Sequence, residues 1–190
     1  KVCLFFHKKS CIVNLQNMKK EIFWSMEDIK MADKKVEKKV EEWTEEKTDA
    51  CIDELVNNAL TALDEFEGFD QETVDYIVAK MSVAGLDKHG VLAEAAVKET
   101  GRGVFEDKAV KNLYVTNNMR HTKTVGIINE DPLTGITEIA EPVGVVCGIV
   151  PVTNPTSTVI FKSLIAMKTR NPIIFSFHPG AHDCSVMAAK

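Results

Sequence analysis

The sequence predicts an α/β fold in which a helical N-terminal region and a β-hairpin lead into the first βαβ unit of a parallel sheet, and three observations carry that expectation. Residues 143–150 are almost wholly apolar and rich in β-branched side chains, as a strand buried on both faces of a parallel sheet requires. Across residues 156–168 the apolar positions Val159, Ile160, Leu164 and Met167 fall on one helical face. A second apolar run, residues 173–175, follows directly. Strand, helix and strand in this order make a right-handed crossover, with the ligand side beyond the C-terminal ends of the strands.

The preceding elements follow from local signals. Residues 1–30 are mildly basic and aperiodic, and the apolar stretch at 2–6 is too short for a secretory signal. A disordered or spuriously translated leader is expected there, with a divergent transit peptide as the alternative and the folded part running over 31–190. Residues 34–63 form a charged helix that places Ile52, Leu55, Val56, Ala59, Leu60 and Leu63 on one face. Its charges read as a solvated surface. Gly68 ends it, and Asp70 caps a second helix running to about Lys88, with Val74, Ile77, Val78 and Met81 inward and Gly90 as its punctuation. A third helix covers 91–100 and stops at Gly101, and a fourth covers 107–119. Residues 124–128 and 136–139 are short β-branched segments around a polar turn containing Pro132 and Gly135, which predicts a hairpin over 124–139.

Composition narrows the function classes. With 190 residues and a net charge of −5, the chain has room for one core and no basic footprint for nucleic acid. No apolar run is long enough to span a bilayer, so no membrane partner is expected. The five cysteines are an odd number without metal-like pairing and read as reduced, cytoplasmic thiols.

Beyond the first strand lies the turn Ile149, Val150, Pro151, Val152, Thr153, Asn154, Pro155. Pro155 suits the first helical position, and Asn154 before it is a good N-cap residue. Local chemistry therefore reads Asn154 as a helix cap, while the sharper reading is an amide aimed at a ligand oxygen. The segments EPVGVVCGIVPVTNPTS, FKSLIAMKTRN and IIFSFHP closely resemble the NAD-dependent aldehyde dehydrogenase superfamily, and within it the CoA-acylating branch that forms the N-terminal half of bifunctional aldehyde–alcohol dehydrogenases. The resemblance covers residues 34–190. It implies that Asn154 helps bind the oxyanion of the thiohemiacetal and thioester steps and that residues 149–154 line the nicotinamide side of the cofactor site. It also implies ribose contacts from Ser176 and His178, although Phe177 stands where the acylating branch has Pro and Pro172 where a small residue is usual. By the same resemblance the hairpin belongs to a small sheet used in oligomerisation, making the parent enzyme a homo-oligomer.

Other candidates have simpler readings. Gly101-Arg102-Gly103 follows a helix and lacks the third glycine and Lys of a phosphate loop, so it reads as a C-cap turn. The resembling Glu99-Thr100-Gly101-Arg102 stretch is structural in the family. His178, His182 and Cys184 suggest a metal site only until Pro179 and Gly180 between them are noticed; surface histidines are the plainer reading, and no metal is expected. No G-x-S-x-G elbow is present. Cys147, inside the apolar run, reads as a packing residue, because a reactive thiolate wants an exposed, electropositive setting. In the family the Cys nucleophile lies in a second domain downstream of the Asn-Pro turn. The expected function is thus the N-terminal part of an acylating aldehyde dehydrogenase, an oxidoreductase acting on a small aldehyde with NAD as cofactor and CoA as co-substrate. A non-acylating aldehyde dehydrogenase, using water in place of CoA, and a non-catalytic assembly module are the alternatives.

Overall fold

A computed structural model describes residues 4–7, 10–12, 44–117 and 122–190. Most of the expected leader, and the first part of the charged helix at 34–43, lie outside the described residues. Within the leader, β1 (Leu4–His7) and β2 (Ser10–Ile12) pair antiparallel.

Helix α1 (Glu45–Glu67) starts at Thr44, whose hydroxyl accepts from the Lys47 N–H, and Glu45 and Glu46 complement the positive end of the helix dipole. Leu55, Ala59, Ala62 and Phe66 form its buried stripe. Helix α2 (Gln71–Thr100) is capped by the Asp70 carboxylate, which accepts from Thr73 N–H at 2.8 Å. That hydrogen bond holds the Asp70 carboxyl below its usual pKa. At the other end Gly101 takes the left-handed conformation, φ 62°, and its N–H returns to Val97 O.

The expected break at Gly90 does not occur: α2 runs as one helix of 30 residues through positions 88–91. Gly85, five residues earlier in the same helix, serves close approach instead. A Cβ at Gly85 would lie 3.0 Å from Thr116 Cγ2 and 3.4 Å from Ile160 Cγ2, so the missing side chain lets α3 (Phe105–Asn117) and α4 (Pro155–Lys168) seat against α2.

The hairpin forms from β3 (Gly126–Asp131) and β4 (Ile136–Ala140), pairing from Gly126 opposite Ala140 to Asp131 opposite Ile136 with a one-residue register shift between Ile127 and Asn129. The Asp131 carboxylate closes its turn, accepting from Leu133 N and Thr134 Oγ1, and Gly135 supplies the positive φ of 70°. It starts two residues later than the sequence suggests, because Thr124 is drawn into the body: its N–H donates to Gln71 Oε1 and its hydroxyl to the Lys168 carbonyl. Both faces of the hairpin are open, exposing Ile127, Ile136 and Ile139.

The βαβ unit is as the sequence predicts. Strands β5 (Val146–Val150) and β6 (Ile173–Phe177) pair in parallel, with α4 as the crossover. Burial of β5 differs from expectation. Val150 turns inward with Ile173, Phe175 and Phe177, whereas Cys147 and Ile149 stand on an exposed face, Ile149 at 72%. The strand alternates because the described helices cover one side of it. Residues 143–145 are not strand: Gly144 has φ 111°, and the N–H groups of Val143 and Gly144 both donate to Asn171 Oδ1, at 2.8 and 3.0 Å.

After β6 a 3-10 turn (Pro179–Ala181) leads into α5 (His182–Ala189). The Glu99 carboxylate satisfies the first amides of α5, accepting from Asp183 N at 2.9 Å and Cys184 N at 2.7 Å. Two larger apolar clusters fill most of the interior, with a smaller one at Ala96, Ala181 and Cys184. One gathers Leu55, Val150, Val159, Phe175 and Phe177 beneath the sheet, and the other joins α1, α2 and α4 through Phe66, Val74, Val78, Leu92 and Leu164.

Candidate functional site

The two parallel strands end side by side, and every sequence-predicted site residue lies at that C-terminal edge. Ile149 and Ser176 are register partners on the exposed face, and the His178 N–H donates to Val150 O at 3.2 Å, tying the two outgoing turns together. Pro151, Thr153 and His178 are exposed, while Val150 is buried and Val152 packs beside Ala96, Ala181 and Cys184. The edge therefore offers an apolar surface at Ile149 next to the hydroxyl of Ser176 and the ring of His178.

Asn154 corrects the local expectation of a cap. It precedes α4, and its carbonyl accepts from Thr158 N, but its side chain makes no capping hydrogen bond and its φ/ψ of −135°/60° is not that of an ordinary N-cap. The amide is engaged from the other side: Lys111 Nζ donates to Asn154 Oδ1 at 3.1 Å.

Helix α3 holds this turn at three points. Lys108 Nζ donates to the Thr153 carbonyl at 3.0 Å, Lys111 reaches Asn154, and Asn112 Oδ1 accepts from Thr156 Oγ1 at 3.0 Å. Asn112 is itself fixed by donating to His89 O from Nδ2. Lys108 is buried, and burial, followed by the neighbouring Lys111 charge, lowers its pKa from the usual lysine value. Sequence reasoning missed these three residues. For Lys108 and Asn112 a signal was available, since Lys108, Ala109, Asn112 and Thr116 form the buried face of α3 at helical spacing and all but one are polar, whereas exposed Lys111 carried none.

The remaining candidates resolve plainly. Cys147 is exposed on the sheet face rather than packed in the core, because it sits on the uncovered side of β5. Cys184 is buried, and desolvation together with a hydrogen bond to the Glu99 carboxylate pushes its thiol up to about 12. His178 Nδ1 accepts from Gly180 N, and His182 Nδ1 pairs with Asp183 Oδ1. Among the described residues no group of three or more His, Cys, Asp or Glu is placed to hold a metal ion. No described helix is long and apolar enough to cross a membrane.

Phe177 points into the interior rather than out of the edge. Its ring is buried, stacked on Phe175 at 5.7 Å and edge-on to His182 at 6.1 Å. Pro172 is buried just before β6, its carbonyl accepting from Val146 N.

No protein-family model matches the chain. It is 68% identical over 145 residues to the aldehyde-alcohol dehydrogenase 2 of Entamoeba histolytica, an alignment covering 73% of this chain and 17% of that protein. Its structure matches the acetylating aldehyde dehydrogenase of Geobacillus thermoglucosidasius with a TM-score of 0.70 at 46% identity, over 74% of this chain and 32% of that one. The chain belongs to the aldehyde dehydrogenase superfamily. Its relatives place it in the CoA-acylating branch, and a propionaldehyde dehydrogenase of Rhodopseudomonas palustris, solved with bound CoA and an acylated cysteine, matches at a TM-score of 0.61 and 25% identity, over 73% of this chain and 32% of that one. The chain spans only 16–17% of the length of the aldehyde–alcohol dehydrogenases it matches.

In this chain the Lys168-Thr169-Arg170-Asn171 motif is a structural knot. Arg170, at φ 56°, sends its guanidinium to the carbonyls of Glu67 and Ala140, while Asn171 holds the backbone of Val143 and Gly144. The Glu99-Thr100-Gly101 stretch is structural too, capping one helix and ending another.

Proposed function

We propose that this chain forms the nicotinamide-side wall and the oxyanion donor of an acylating aldehyde dehydrogenase, working with a cysteine supplied outside residues 1–190. The overall reaction joins an aldehyde, NAD+ and CoA thiol into acyl-CoA, NADH and a proton. The observation that carries this reading is the Asn154 side chain, which does not cap α4 although it precedes it. An amide spared from capping is available to a reacting oxygen at the ligand edge of the sheet.

The donor set fits a dinucleotide. Ser176 and His178 bring exposed hydrogen-bonding groups for a ribose, and Ile149 with the Val150-to-Thr153 turn gives an apolar flank for a nicotinamide ring. When bound, NAD supplies the hydride acceptor. The chain's own task is to orient it and to stabilise negative charge: the Asn154 Nδ2 hydrogens donate to the oxyanion that forms when a thiolate adds to the carbonyl, where preorganised donors count most. The open hairpin β3/β4, with Ile127, Ile136 and Ile139 exposed, supports assembly of the whole enzyme as a homo-oligomer.

The test is a chimera in which residues 44–190 replace the matching segment of the Entamoeba enzyme. Acetaldehyde- and CoA-dependent NADH production should persist, and Asn154→Ala should lower kcat by roughly 10²–10³ while NAD affinity changes little. Near-normal turnover by Asn154→Ala would overturn the reading.

A further inference from the structure

We infer that Lys111 is a positioning residue for Asn154, fixing which end of the amide faces the reacting oxygen. The inference rests on the proposed role of Asn154 and adds a residue to it. An amide side chain is nearly symmetric in shape, so packing alone does not choose between its oxygen and its nitrogen. An ammonium chooses. It has three donors and no acceptor, so the atom 3.1 Å from Lys111 Nζ has to be the oxygen, and Nδ2 with its two hydrogens points away. Among the described residues the Nδ2 group has only a marginal partner, Thr153 Oγ1 at 3.5 Å, and so keeps its donors for a ligand.

The same contact explains the missing cap. At the residue before a helix, Asn Oδ1 ordinarily turns onto an orphan N–H of the first turn. Lys111 competes for that oxygen and draws it away from α4. A cation on the carbonyl end also withdraws electron density through the amide, making the Nδ2 hydrogens better donors where negative charge develops. Lys111 is exposed, so solvent screens much of this electrostatic gain and orientation is the larger part. Orientation is dependable because α3 is pinned on either side of Lys111, by Lys108 on the Thr153 carbonyl and Asn112 on the Thr156 hydroxyl.

The experiment uses the chimeric enzyme. Lys111→Met is expected to lower kcat roughly 10- to 100-fold, as misplaced catalytic groups do, with the KM for NAD and the melting temperature unchanged. Lys111→Arg, which keeps a donor-only cation in reach, is expected to restore most of the rate. In the double variant, Lys111→Met should cost nothing further once Asn154→Ala is present, because it acts only through that amide. Additive losses in the double variant, or a normal kcat for Lys111→Met beside a damaged Asn154→Ala, would overturn the positioning role and leave the Asn154 reading standing. A normal kcat for Asn154→Ala itself would remove both.

Discussion

The ammonium of Lys168, in the last turn of α4, is bonded to the carboxylate of Asp75 in α2, 93 residues away. Gln71, one turn earlier in α2, donates to the same carboxylate and accepts the N–H groups of Thr124 and Val125, while the Lys168 carbonyl accepts the Thr124 hydroxyl. One polar cluster thus ties α2, the crossover helix and the start of the hairpin into a single register.

That pair predicts asymmetric consequences. Lys168 is 2% exposed and Asp75 43% exposed, so deleting the carboxylate strands a buried charge, whereas deleting the lysine leaves a carboxylate that water can reach. Asp75→Asn should therefore destabilise the chain by roughly 3 kcal/mol, the low end for breaking a buried pair, and Lys168→Met by clearly less. Urea unfolding midpoints of the two variants measure the difference.

Two glycines predict opposite signs. A Cβ at Gly90 meets only Phe105 Cζ at 3.9 Å, an ordinary contact inside a continuous helix, so Gly90→Ala should stabilise by about 0.5–1 kcal/mol. A Cβ at Gly148 would come within 2.8 Å of Ile173 Cδ1 and 2.9 Å of Phe175 Cδ1, so Gly148→Ala should cost about 1–3 kcal/mol through overpacking. Thermal melts of both variants against the parent chain decide each sign.

The contrast between those glycines shows what was legible in the sequence. The βαβ unit announces itself because its apolar runs and helical period are local properties of residues 146–177. Gly90 misleads because a glycine inside a helix reads as punctuation, whereas the helix runs straight through it and only Gly85, against Thr116 and Ile160, has a packing purpose. Asn154 misleads similarly: its sequence neighbours prescribe a cap, and the lysine that diverts its oxygen lies 43 residues away. The exposed face carrying Cys147 and Ile149 is a third case, since an apolar β-branched strand reads as doubly buried whatever covers it.

The cysteines separate by environment. Cys147 is exposed and should alkylate readily in the folded chain, whereas Cys184 should resist. The Cys184 thiol, raised from about 9 to about 12 by burial and the Glu99 carboxylate, keeps its proton in the folded state over a window where the unfolded chain has lost it. Its contribution to stability is therefore complete below about pH 9 and falls as pH rises through that window. Lys108, with its pKa lowered by burial, contributes with the opposite sign as pH approaches the usual lysine value. Comparing the pH dependence of the urea midpoint in Cys184→Ala with that of the parent isolates the thiol, and the variant should show the flatter alkaline decline.

Asn154→Asp separates the two readings of that residue most sharply. A carboxylate is as good an N-cap as an amide and would also accept from Lys111, so a capping role predicts a variant at least as stable as the parent with its turnover intact. A donor role predicts loss of function instead, since the substitution removes both Nδ2 hydrogens and places negative charge where an oxyanion must form. Asn154→Ala removes the donors without adding charge, and because the native side chain makes no capping bond, it should leave the melting temperature nearly unchanged. In the chimeric enzyme kcat should fall in the order parent, Asn154→Ala, Asn154→Asp, while stability does not follow that order. Retained turnover in Asn154→Asp, or a loss of about 0.5–2 kcal/mol in Asn154→Ala as for a true cap, would return Asn154 to a purely structural role.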